Sequence, residues 1–248
     1  MISDSAIMLR RNIKQTVRYP VAVFNAIFMP IIMMLMFVYV FGRAFNVGGG
    51  DYIDYATPGM LMMAISYGLS ATAVAVNADM TKGIINRFKV MDVSRSAVLN
   101  GHVVSTMLRT AIAVTAILGM AFLFGFSPEA SLPQWLGAIG VLLLVLLAVS
   151  WFTVACGLAA KTQESAGSAA VPMILLPFFS SAIVPADKMG PGIREFAKYQ
   201  PFTSIIESVR GFFLGAPNVG QTIAAIAWSA GIAVIGYVWA RSKFTKRA

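Results

Sequence analysis

Ten carboxylates, one histidine and one cysteine are the side chains here that could carry acid–base, metal or thiol chemistry, and their placement argues against all three. The carboxylates fall in loops, interfacial segments or the ends of apolar runs. None is at the middle of an apolar run, where proton or sodium coupling usually needs one. His102 has no neighbouring Cys, Asp or Glu cluster to complete a metal site, and is read as structural or interfacial. Cys156 has no second cysteine to pair with and lies in an apolar run, so it is read as packing. No GxSxG, HExxH or GxxxxGKS/T pattern occurs, so neither a familiar hydrolase site nor a nucleotide-binding loop is encoded.

What the residues do offer is a binding chemistry. Asp79 to Arg95, DMTKGIINRFKVMDVSR, lies between two apolar runs. Read as a helix, it sets Met80, Ile84, Phe88 and Met91 on one stripe and Lys82, Asn86 and Lys89 opposite. Two readings fit this basic amphipathic stretch: a handle for a partner on the cytoplasmic side, or a helix lying among anionic headgroups.

The elements around it are set by composition. The chain of 248 residues is 58% hydrophobic and 12% charged, against roughly 25% charged in a soluble domain. It reads as an all-α polytopic membrane protein. Six stretches, near 22–42, 56–78, 103–126, 134–160, 167–185 and 220–240, reach the roughly 20 residues that cross an apolar core of about 30 Å. The first follows Arg10, Arg11, Lys14 and Arg18 but is longer than a signal peptide's apolar region, and is read as a retained span.

The net charge of +9 is spread beside these runs instead of forming one patch, which fits membrane orientation and not nucleic acid. With the N-terminus inside, the inner side collects the four bases just named, with Lys82, Arg87, Lys89, Arg95, Lys161, Arg241, Lys243, Lys246 and Arg247. The outer side holds Arg43, Lys188, Arg194, Lys198 and Arg210. Lys and Arg mark cytoplasmic flanks, so both termini are expected in the cytoplasm. Arg109, about two turns into the third span, is close enough to the inner face to snorkel.

Two further segments are neither spans nor simple loops. Residues 1–20 carry an interfacial helix, with Ile2, Ala6, Leu9, Ile13 and Val17 opposite Arg11, Lys14 and Arg18, ending where Pro20 turns the chain. Residues 185–216 are broken by Pro185, Pro191 and Pro201, and the apolar piece from Phe202 to Leu214 is too short to cross. It must be interfacial or re-entrant, on the outer side. A path through the spans would be lined by Ser66, Tyr67, Ser70, Thr72 and Asn77 in the second and by Ser180 and Ser181 in the fifth, with apolar walls from Phe37, Phe41, Phe178 and Phe179. Ordinary packing of small residues between membrane helices accounts for the same residues equally well. Pro172 and Pro177 are placed to kink the fifth span.

In this order of elements the chain resembles the permease subunit of ABC-2 type transporters, in particular the daunorubicin- and multidrug-resistance-like exporters. The resemblance rests on DMTKGIINRFKVMDVSRSAVLNGHVV, with its acidic-x-x-x-Gly, Arg-Phe and Ser-Arg-x-x-x-Leu-x-Gly pattern, and on VPADKMGPGIREFAKYQPFTSIIESVRGFFLG before the last span. Asp92 stands where relatives often have proline.

The resemblance implies one domain over 1–248, with an N-terminal interfacial helix, a coupling-helix loop at 79–95 and the extracytoplasmic segment at 185–216. It further implies an exporter of a hydrophobic or amphipathic drug, antibiotic or lipid in a bacterial cytoplasmic membrane. No cofactor would be held on this chain; ATP and Mg would be held by a cytoplasmic ATP-binding cassette subunit, and a second permease copy, identical or related, would complete the assembly among membrane lipids. By the same carry-over Asp79, Gly83, Ile84, Arg87, Phe88 and Lys89 meet the ATPase subunit. Export of a polysaccharide or lipid-linked glycan is the alternative within this class, and a secondary transporter the alternative outside it.

Overall fold

The computed structural model describes residues 20–42, 51–81 and 95–247. Among them every regular element is helical. In chain order they are α1 (Pro20–Leu35), continued by a π-helical segment at Met36–Phe41; α2 (Tyr52–Tyr67); α3 (Leu69–Thr81); α4 (Arg95–Leu123); and α5 (Leu132–Ala159). Then come two short helices, α6 (Gln163–Ala169) and α7 (Val171–Leu175), the 3-10 turns Leu176–Phe179 and Ala186–Lys188, and finally α8 (Ile193–Tyr199), α9 (Pro201–Phe213) and α10 (Val219–Arg247). The amphipathic segment expected over 1–19, and residues 82–94 of the basic loop, lie outside the described residues.

Among the described residues four stretches are long and apolar enough to cross a membrane: Tyr52–Thr81, Leu99–Leu123, Leu132–Ala159 and Val219–Thr245. These match the expected second, third, fourth and sixth spans, with ends that differ by no more than about a turn and a half. Phe28–Val40 is a shorter apolar stretch within the expected first span. α1 contains Pro30, which supplies no backbone N–H to the helical ladder.

Two spans depart from a plain helix. The second is two helices in line, α2 and α3, divided at Gly68. The fifth, expected over 167–185, is not one helix but a series: α6, α7, a 3-10 turn and then irregular backbone to Pro185. Pro172 and Pro177 remove two donors within six residues, so the stretch cannot propagate as an α-helix and tightens into 3-10 geometry.

α3, α5 and α10 finish, and α4 starts, at one end of the bundle, where Lys161, Arg241 and Lys243 also lie; it is called the basic end below. A small apolar cluster of Val76, Leu99, Val103, Leu158 and Phe244 packs there. A larger cluster fills the rest, joining Met60, Leu61 and Ile65 of α2, Ile117 of α4, Val145 of α5 and Phe202, Ile206 and Phe213 of α9. At the opposite end the rings of Phe126, Trp135 and Phe213 meet at centroid distances of 5.5 and 5.0 Å. Gly125, at φ +99°, lets the chain leave α4 through a left-handed turn that a side chain would resist. Gln134 in the first turn of α5 accepts from the Ser131 N–H at 2.7 Å and donates to the Gly215 carbonyl at 3.0 Å, tying the start of α5 to the end of α9.

α9 is the piece too short to cross. Its residues Phe202 to Ile206, with Ser208, Val209, Arg210 and Phe213, are buried against α2, α5 and α10. Of the two arrangements open to it, interfacial or re-entrant, this burial within the bundle is what a re-entrant segment requires.

Candidate functional site

The polar residues singled out in the spans separate into three groups along the bundle. At the basic end, Asp79 in the last turn of α3 faces His102 of α4, with Oδ2 3.2 Å from Nε2 and both side chains nearly buried. Sequence reading left His102 alone, because 23 positions separate the pair; only the return of α4 along α3 joins them. Asp79 is thus the one expected ATPase-contact residue that is described. Gly83, Ile84, Arg87, Phe88 and Lys89 lie outside the described residues. Nearby, Asn77 Nδ2 donates to the carbonyls of Gly157 at 3.2 Å and Ala160 at 2.7 Å, capping the end of α5. That role is structural and not part of a path.

The second group surrounds the break at Gly68. Ser66 is fully buried and, among the described residues, has no hydrogen-bond partner for its hydroxyl; Tyr67 is 38% exposed, and Ser70 donates weakly to the Gly167 carbonyl at 3.4 Å, bridging α3 to α6. Thr72 meets Thr106 of α4 at 3.2 Å. Arg109 then donates through Nη2 to the Gly68 carbonyl at 3.2 Å and to the Thr72 hydroxyl. The expectation that Arg109 snorkels is corrected by this geometry. It stands at the centre of the 29-residue α4, and its guanidinium is spent inside the bundle on the Thr72 hydroxyl and on the carbonyl at the helix break, which also accepts weakly from the Thr72 hydroxyl at 3.5 Å.

The third group lies at the opposite end, around the irregular segment from Leu176 to Pro185. Ser180 donates to the Pro177 carbonyl and accepts from the Ala182 N–H at 3.2 Å. The Ser181 carbonyl accepts from the Tyr55 hydroxyl at 2.9 Å and from Arg210 Nη2 at 2.7 Å. Tyr52 donates to the Ile183 carbonyl at 3.1 Å, and Gln200 Nε2 to Leu176 at 3.1 Å. Non-helical backbone inside a membrane bundle survives only when protein groups satisfy it, and here four side chains from α2, α9 and the junction before α9 do so. Phe178 packs on the large cluster. Phe179 is 46% exposed and, with Pro172, Leu175, Ile193 and Phe196, borders an apolar groove of about 430 Å³.

The expected path residues are therefore not brought into one channel. Ser66, Tyr67 and Ser70 belong to the helix break, whereas Phe178, Phe179, Ser180 and Ser181 belong to the segment behind α9. Sequence reading missed Arg210 and Tyr55, the residues that lock this segment. The available signal was Glu207-x-x-Arg210 on the strongly amphipathic α9, a spacing that lets the acid accompany the base into the bundle.

Close helix contacts complete the frame. A Cβ on Gly59 would lie 2.5 Å from the Ala182 carbonyl oxygen, and one on Gly236 would lie 2.6 Å from the Phe152 nitrogen. Small residues at such crossings let helices approach where lipid offers no hydrophobic drive to pack.

Residues 5–214 match the ABC-2 type transporter family. The chain is similar to the daunorubicin resistance ABC transporter permease protein DrrB1 of Streptomyces coeruleorubidus, at 26% identity over 218 residues, covering 88% of this chain and 77% of that protein. It is likewise similar to the probable doxorubicin resistance ABC transporter permease protein DrrC of Mycobacterium tuberculosis, at 26% identity over 236 residues, 94% of this chain and 85% of the relative.

Proposed function

Because this chain belongs to the ABC-2 type transporter family, we propose that it is the membrane permease of an ATP-driven exporter for a hydrophobic or amphipathic compound of the kind its drug-resistance relatives are named for. The chain binds no nucleotide itself. ATP and Mg are held by a separate cytoplasmic ATPase subunit, and a second permease copy, identical or related, completes the assembly. The basic end faces the cytoplasm, as its excess of Lys and Arg favours, and both termini lie there.

One observation supports this reading above others. The segment bearing Gly83, Ile84, Arg87, Phe88 and Lys89 is flanked by α3 and α4, and those helices are joined at their basic ends by Asp79 and His102. A push on the segment is thereby delivered to two spans as a unit. α3 continues into α2 through the Gly68 break, and Arg109 of α4 holds that break. Closure of the ATPase pair would tilt α3 and α4 together and carry the movement to the Leu176–Pro185 segment through α2. Phe88 would fill a pocket on the ATPase subunit while Arg87 and Lys89 pair with acidic groups at its rim.

The test is co-purification of this chain with a candidate ATP-binding cassette subunit, followed by ATPase activity in lipid. Phe88→Ala and Arg87→Glu are expected to release or uncouple the subunit while leaving the permease folded. A permease that purifies alone and transports without ATP would overturn the assignment.

A further inference from the structure

We propose that the cleft between the basic ends of α4, α5 and α10 is a binding site for the phosphate headgroup of an anionic phospholipid. The cleft encloses about 650 Å³. Its floor is apolar, made by Leu99 and Phe244, which are 6% and 3% exposed and belong to the small cluster of the basic end. One wall is an aromatic pair, Trp151 of α5 and Tyr237 of α10, whose rings meet edge to face at 4.9 Å. Arg241, Asn100 and Thr245 supply the polar lining.

Depth places this cleft at headgroup level. Arg241 lies about 33 Å along α10 from Val219 at 1.5 Å per residue, beyond the roughly 30 Å of an apolar core. Trp and Tyr are the residues that settle at such a boundary, with an apolar ring and a polar edge.

The donors are uncommitted. The Thr245 hydroxyl is spent on the Arg241 carbonyl at 3.0 Å. Among the described residues, however, the Arg241 guanidinium makes no ion pair, and the Asn100 amide and Tyr237 hydroxyl make no hydrogen bond. Among the described residues no carboxylate lines the cleft. A planar guanidinium beside neutral donors suits a phosphate oxygen pair.

The surface beneath selects a lipid over a soluble anion. Val234, Val238 and Arg241 follow one another at helical spacings of four and three on α10, so they share a stripe. Val234 and Val238 are 62% and 58% exposed. A lipid with its phosphate at Arg241 lays its acyl chain along Val238 and Val234, giving both halves of an amphiphile a matching surface.

The inference requires that α10 crosses the membrane and does not depend on an ATPase partner. It is tested with the full chain in nanodiscs of phosphatidylcholine with or without phosphatidylglycerol, one lipid at a time carrying bromine near its headgroup, reading tryptophan fluorescence. Brominated phosphatidylglycerol is expected to quench more than brominated phosphatidylcholine. Trp151→Phe should remove the excess, Arg241→Ala should lower it severalfold, and Arg241→Lys should keep part of it. Equal quenching by the two lipids, or an excess indifferent to Arg241→Ala, overturns the proposal. Loss of the excess on adding inorganic phosphate points to a free-anion site, and its loss on adding the ATPase subunit points to a protein occupant; either result also overturns it.

Discussion

The Arg210 guanidinium lies 3.7 Å from the centroid of the Tyr55 ring and donates through Nε to the carbonyl of the same tyrosine at 3.0 Å. With Nη2 on Ser181 and Nη1 on Glu207, one side chain joins α9, α2 and the irregular segment behind them. Arg210 is 5% exposed, so Arg210→Ala removes buried hydrogen bonds from a charged donor to two carbonyls and leaves Glu207 without its base. Since a hydrogen bond to a charged group contributes about 1.5–3 kcal/mol, a loss on the order of 3 kcal/mol is expected. Glu207→Gln should cost less than half of that, because the base keeps its carbonyl partners. Thermal unfolding in detergent, followed by size-exclusion chromatography, distinguishes the two. A wild-type midpoint for Arg210→Ala would remove the clamp from this account.

Gly59 is the second constraint on the same segment. A Cβ there would collide with the backbone of Ala182 at 2.5 to 2.6 Å, and backbone on both sides cannot yield as a side-chain tip can. Gly59→Ala is therefore expected to cost about 1–3 kcal/mol by overpacking. Gly140→Ala is the control, since a Cβ at that position meets nothing within 4 Å. Equal melting curves for the two variants would show that α2 does not rest on Ala182 as tightly as the structure has it.

These two sites show what could be read in advance and what could not. Periodicity and run length located the second, third, fourth and sixth spans, because an apolar run that must cross a bilayer has few other folds. The fifth failed as a single helix, although Pro172 and Pro177 were visible, because what tolerates broken backbone there is a set of partners far away in sequence: Tyr52, Tyr55, Gln200 and Arg210. His102 and Asp79 were both noted and not paired for the same reason. Local pattern reports which face of a helix is apolar; it does not report which distant carbonyl a tyrosine will find.

Arg109 follows the same logic at the middle of the bundle. It donates to the Gly68 carbonyl and to the Thr72 hydroxyl where α2 gives way to α3, so Arg109→Ala removes two hydrogen bonds from a charged donor at a cost of about 1.5–3 kcal/mol. Gly68 itself has an ordinary helical conformation, φ −74°, and room for a Cβ, with its nearest neighbour at 3.7 Å. Gly68→Ala should thus be tolerated in stability. If the Arg109 contact also transmits movement from α4 to α2, Arg109→Lys will keep more of the melting temperature than of substrate-stimulated ATPase activity in the reconstituted complex. Parallel loss of both would make the contact structural alone.

The Asp79–His102 contact at 3.2 Å carries the strongest demand of the proposed mechanism, that α3 and α4 move as one. A double-mutant cycle isolates it. Asp79→Asn removes the carboxylate and His102→Gln the imidazole, each keeping a polar side chain of similar size, so neither opens a cavity. If the two residues act through each other, the double variant will lose less stability than the sum of the singles, with a coupling of roughly 0.5–3 kcal/mol as found for residues in contact. The same three variants, assembled with the ATPase subunit in lipid, should lose transport per ATP hydrolysed while hydrolysis itself continues, because the motor would still turn over against a loosened lever. Additive losses in the cycle together with unchanged transport per ATP would leave Asp79 and His102 as neighbours only, and the joint movement of α3 and α4 would then have to run through the Thr72–Thr106 contact at 3.2 Å instead.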